Sequence, residues 1–137
     1  MAYVHPDRAA WTDFLALPRD EPVQMLNLIR LRDVADYPAD HPDHGKSVSG
    51  SEAYEAYHRA TGHVMARFGG RRVWSGKPQV QITGPVDEAW DMAVITEYPT
   101  AQAFIDMVRD PDYREGVSHR SAAVADARVV RIAPAAD

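Results

Sequence analysis

The chain has 137 residues, 45% of them hydrophobic, a formal charge of −5 and no cysteine. That length suits a single domain, residues 1–137, with a core of its own, and the missing thiols exclude a disulfide framework, thiolate metal sites and cysteine nucleophiles. The acidic balance argues against a nucleic-acid partner. No apolar run approaches the roughly 20 residues of a membrane span, and Met1–Asp7 lacks the regions of a secretory signal, so a cytoplasmic protein is expected.

Pro6-Asp7 reads as a helix start, and Trp11, Phe14 and Leu15 share one face of a short helix that Pro18 closes. This helix makes residues 1–21 an N-terminal extension. Residues 22–32 (PVQMLNLIRLR) give a strand with Val23, Met25, Ile29 and Leu31 on one side and Leu26 and Leu28 on the other. A strand apolar on both sides is covered on both. Asn27 interrupts the apolar row.

Residues 33–50 form a long polar connection of the kind that serves as a lid, a binding segment or a mobile stretch, with a capping box at Ser49 and Glu52. The next helix spans about 51–68 and stops at Gly69-Gly70. Strands are expected at 72–76, continuing through 80–83, and at 90–98. A helix capped by Thr100 follows, broken at Asp110-Pro111, then a helix over about 112–125 and a last strand at 128–132. Beyond the extra helix, the order is the β-α-β-β-α-β of an α+β, ferredoxin-like fold.

Several motifs fail. Gly45-Lys46-Ser47 is not a phosphate loop, because Asp40 stands where the first glycine is required. No Gly-x-Ser-x-Gly elbow supports a serine nucleophile. His41-Pro-Asp-His44 offers two imidazoles and a carboxylate, yet in a solvated loop it predicts no metal. His58 and His63, five apart, do not share a helix face as a zinc pair does. The residues left for chemistry are dispersed. They are Asn27 in its apolar row, Glu97 at a strand end, His119-Arg120 before the last strand, and the aromatics Tyr54, Tyr57 and Trp74. His119 is the group suited to proton exchange near neutral pH. Each also has a structural use: Asn27 bonding backbone, Glu97 pairing Arg120, the aromatics filling core or interface.

Four stretches carry a resemblance: Met25-Leu-Asn-Leu-Ile-Arg-Leu-Arg32, Gly50-Ser-Glu-Ala-Tyr54, Gly69-Gly-Arg-Arg-Val-Trp74-Ser-Gly76, and Glu97-Tyr-Pro-Thr100 through Tyr113 to His119-Arg120. Together, over roughly residues 22–133, they resemble the DUF1330 family of the dimeric α+β barrel superfamily. The resemblance implies a four-stranded antiparallel sheet that packs face to face with a second copy, a homodimer. Its superfamily includes cofactor-independent monooxygenases, muconolactone-type isomerases and haem-dependent enzymes, so fold alone does not give function.

Two readings of function follow. In the first, the chain is a cofactor-independent enzyme or ligand-binding protein for a small enolisable or aromatic acid. His119 moves the proton, Arg120 or Glu97 orients it, Asn27 holds an oxygen, and Tyr54, Tyr57 and Trp74 wall the pocket. In the second, it is a non-catalytic homodimer whose inner polar residues satisfy one another. Haem binding is a third reading, and it needs an axial histidine facing a large apolar cavity.

Overall fold

A computed structural model describes residues 2–135. The chain runs α1 (Arg8–Ala16), β1 (Val23–Leu31), α2 (Gly50–Arg67), β2 (Arg71–Gly76), β3 (Met92–Tyr98), α3 (Ala101–Arg109), α4 (Pro111–Ala123) and β4 (Val124–Ile132). Its four strands form one antiparallel sheet in the order β2-β3-β1-β4. The helix starts are set by side chains: Asp7, Ser49, Thr100 and Asp110 each accept a backbone N–H of the first turn.

The helices cover one face of the sheet. Near one end, Val23, Met25 and Tyr98 pack with Phe14, Val64 and Ile105; towards the other, Ile29 and Ala127 pack with Ala53, Tyr54 and Ala123. Asn27 lies between them on β1, paired with Val94 and Val129. Period-two alternation puts Leu26, Leu28 and Ile95 on the opposite face, beside Val130 and Trp74, which are 49% and 53% exposed. No described helix is long and apolar enough to cross a membrane.

Three sequence expectations are corrected. Residues 80–83 form no strand: Ile82 is 91% exposed, and neither Val80 nor Ile82 finds a sheet partner that would fix it. Trp90 precedes β3 rather than opening it, and is buried with Arg128 5.1 Å above its ring. The final strand starts at Val124, not Arg128, because residues 124–127 pair with the end of β1 through a register shift at Arg30/Leu31. Alanines at 122, 123, 125 and 127 favour helix locally, and sheet pairing overrides them from Val124 on.

The 33–49 connection is packed, not a free loop. The Arg32 and Asp36 N–H groups donate to the carbonyls of Ala123 and Ala122, Val34 bridges to Ser49, and Tyr37 is buried among Ile29, Tyr54 and Ala122. Gly50 closes it tightly, since a Cβ there would lie 2.0 Å from the Arg32 carbonyl oxygen.

Candidate functional site

Gly116 lets α2 and α4 approach closely, because a Cβ at that position would lie 2.6 Å from Thr61 Cγ2. Beside this contact the two helices leave an open groove of about 360 Å³, lined by Ala60, His63, Asp112, Glu115, Gly116 and His119. His119 is held from behind by the 33–49 connection, with its Nδ1 2.7 Å from the Tyr37 hydroxyl. The His41 ring stacks on Tyr37 with centroids 4.4 Å apart and meets His119 edge-on at 5.4 Å. Burial lowers the His119 pKa, and the neighbouring His41 lowers it further. Burial raises that of Tyr37, with Asp43 adding to the rise.

The 33–49 connection thus builds one wall of the groove. His41 Nε2 lies 3.2 Å from Ser118 Oγ, and the Asp43 N–H donates to His41 Nδ1 at 3.0 Å. His44 Nδ1 lies 2.8 Å from the Tyr37 carbonyl oxygen, which fixes the turn. His41, Asp43 and His119 each offer a ligand atom within 4.8 Å of the other two. The sequence pairing of His41 with His44 missed this grouping, because His119 comes from 78 residues further along the chain. Tyr37 was missed as well. Its one sequence signal is an aromatic residue inside an otherwise polar run.

The other residues singled out from sequence do not join His119. Arg120, its neighbour on α4, turns the other way: its Nη1 donates to the Val4 carbonyl at 2.8 Å. Its charge acts on Tyr54, Tyr57 and Tyr113, which lie between helices and sheet. Tyr57 and Tyr113 hydroxyls are 2.8 Å apart, and burial raises the pKa of both. Burial likewise pushes Tyr54 up to about 12. Asn27 donates to its own sheet at the Met25 carbonyl, 3.1 Å away, the structural use anticipated for it.

Glu97 and Trp74 sit on the face away from the helices, so they cannot line a pocket with Tyr54 and Tyr57. The expected Glu97–Arg120 pair does not form. Glu97 binds Gln24 Nε2 at 3.0 Å and Arg71 Nη2 at 2.9 Å, and those two bonds lower its pKa. His58 and His63 also part company, His63 in the groove and His58 beside Arg72 and edge-on to Tyr54. A second hollow, of about 400 Å³ beyond the end of β1, mixes Arg32 and Lys77 with Asp33 and Asp91 and presents no net charge to a ligand.

A four-stranded antiparallel sheet with helices on one face defines an α+β protein of the ferredoxin-like class. The sequence model described as "Domain of unknown function (DUF1330)" matches residues 45–133, and the chain belongs to that family. Among solved structures it is similar to RPA0582, a protein of unknown function from Rhodopseudomonas palustris, at 43% identity over 100% of both chains with a TM-score of 0.90. A dimeric protein of unknown function with a ferredoxin-like fold from Bacteroides fragilis shares 15% identity, covering 82% of this chain and 95% of that one, TM-score 0.52. A dimeric ferredoxin-like protein from Thermobifida fusca shares 18% over 86% and 96%, TM-score 0.50. No curated protein matches the sequence.

Proposed function

We propose that this protein is a homodimeric small-molecule enzyme or ligand-binding protein that moves protons on an enolisable or aromatic substrate held in the α2–α4 groove. His119 is the acid–base group. The observation that carries this reading is the 2.7 Å contact between its Nδ1 and the Tyr37 hydroxyl at the groove wall. A hydroxyl both donates and accepts, so it supports His119 in either tautomer and leaves Nε2 for the substrate. His63 lines the same groove as a second imidazole. Asp112 and Glu115 also line it, with Asp112 sharing its charge with Arg67 at 3.3 Å, and the substrate class stays the small enolisable or aromatic acid expected from sequence.

The homodimer forms through the uncovered sheet face of Leu26, Leu28, Ile95, Trp74 and Val130, the arrangement the family resemblance implies. The alternative, a non-catalytic homodimer, draws support from Asn27, Glu97 and Arg120, whose bonds all run to groups of the protein itself.

Exchange of carbon-bound hydrogen for deuterium separates the two. Chelator-treated protein is incubated in D2O with a panel of small ketones, keto acids and amino ketones, and exchange is followed by NMR. Catalysed exchange that falls by about 100-fold in His119→Gln, with the fold retained, supports the acid–base reading. No exchange across the panel leaves the non-catalytic dimer, and equal exchange by the variant removes His119 from the acid–base role.

A further inference from the structure

We propose that His41, Asp43 and His119 form a binding site for one divalent first-row transition ion of the zinc class. Two hydrogen bonds settle which nitrogen of His41 carries the lone pair. Ser118 Oγ donates to the Glu115 carbonyl at 3.1 Å, so towards His41 Nε2 it is an acceptor and that nitrogen carries the hydrogen. The Asp43 N–H points at Nδ1 at 3.0 Å, as it does only when Nδ1 is unprotonated. The lone pair of His41 therefore faces the Asp43 turn, where it accepts the Asp43 N–H, and Asp43 Oδ2 lies 4.0 Å from Nδ1. Across from this turn, His119 completes a set whose ligand atoms all lie within 4.8 Å of one another.

The remaining ring atoms already have the partners that orient metal-bound histidines. Ser118 Oγ accepts from His41 Nε2, and the Tyr37 hydroxyl stands at His119 Nδ1, leaving His119 Nε2 as the ligating atom. Two imidazoles and one carboxylate suit zinc, nickel, cobalt or ferrous iron, whereas magnesium and calcium prefer all-oxygen sets. Three protein ligands leave coordination positions open, and His119 lines the groove through which water or a small molecule reaches them. Metal–nitrogen bonds of about 2.0–2.1 Å require the donors to draw closer than they stand. That closure costs the bond from Asp43 N–H to His41 Nδ1 and loosens the 3.3 Å contact between Asp43 and Lys46, both within one short turn.

Zinc and the substrate of the acid–base reading compete for the same atom, His119 Nε2, so the metal proposal stands apart from that reading, and zinc binding is measured without any substrate. Chelator-treated full-length protein is titrated with zinc chloride by calorimetry, with magnesium chloride as the comparison. One zinc per chain is expected and no magnesium. Affinity is expected to fall at least tenfold in each of His41→Ala, Asp43→Asn and His119→Gln, and to stay at the wild-type level in His5→Ala. Should a variant lose its fold, the wild type still decides the matter. In a ¹⁵N-resolved histidine-ring spectrum, zinc should move the His41 and His119 resonances ahead of the other four histidines. No zinc binding, binding that survives all three substitutions, or shifts confined to other histidines overturns the proposal. Deuterium exchange by the metal-free protein alongside any of those results would leave the acid–base reading standing without the metal.

Discussion

A single hydroxyl, that of Tyr37, ties a loop to a helix residue 82 positions away and fixes how His119 sits in the groove wall. His58, by contrast, packs against the fold. His58 is half-buried against Tyr54, and burial, followed by the Arg72 charge, holds its pKa below the ordinary 6.5. The folded protein therefore prefers neutral His58. Its contribution to stability is present in full above pH 6.5 and is lost as pH falls from there through the lowered folded value. Urea unfolding measured from pH 7.5 down to 5 should show stability decreasing, with a shallower decrease in His58→Gln. Equal slopes in the two proteins would show that His58 is not the group responsible. At this scale the sequence identified residue types better than companions. The histidine at 119 and the break at Asn27 in an apolar row are legible because both show locally. That His119 meets Tyr37 and His41, and that Arg120 on the same helix points to Val4 instead, depends on tertiary packing that no local pattern encodes.

The element that shapes the site is the connection from β1 to α2. It starts along α4, crosses over Tyr37 and the 41–44 turn, and is pinned at Gly50, whose N–H donates to the Asp33 carbonyl at 3.4 Å. With a Cβ at Gly50 the Arg32 carbonyl must move, and backbone cannot move as a flexible side chain does. Gly50→Ala is expected to destabilise the protein by about 2–3 kcal/mol, the cost of overpacking a tight site. Denaturant midpoints compare the two proteins, and a variant as stable as the parent would show that the crossing is slack. The elements themselves were legible because their hydrophobic periods are strong and their caps explicit. Ser49 and Thr100 mark the helix starts in the sequence and cap them in the structure. The exceptions share a physical origin. Residues 80–83 have strand-like composition but no sheet neighbour, and residues 124–127 have helix-like composition but a strand partner in β1.

For the whole molecule, the sheet has one face under helices and one without cover. Ile95 lies near the middle of the uncovered face, between Leu26 and Trp74 in adjacent strands. If that face joins two copies, a carboxylate at Ile95 is left facing an apolar partner surface in the dimer and meets water in the monomer. Ile95→Glu should therefore sediment as a 15 kDa monomer with its circular dichroism intact, while the parent sediments at twice that mass. A parent that is already monomeric, or a variant that remains paired, would place the interface elsewhere.

The three tryptophans occupy three separate surroundings, which gives the chain its own optical labels. Trp11 is stacked on Phe14 with ring centroids 5.1 Å apart, Trp90 is buried beneath the Arg128 guanidinium, and Trp74 stands half in water on the open sheet face. In fluorescence, Trp74 should be the red-shifted, quencher-accessible emitter of a monomer and should shift to the blue when a second copy covers the face. Its colour reports whether that face is wet or covered, while Trp11 and Trp90 report on the helix extension and the β4 edge.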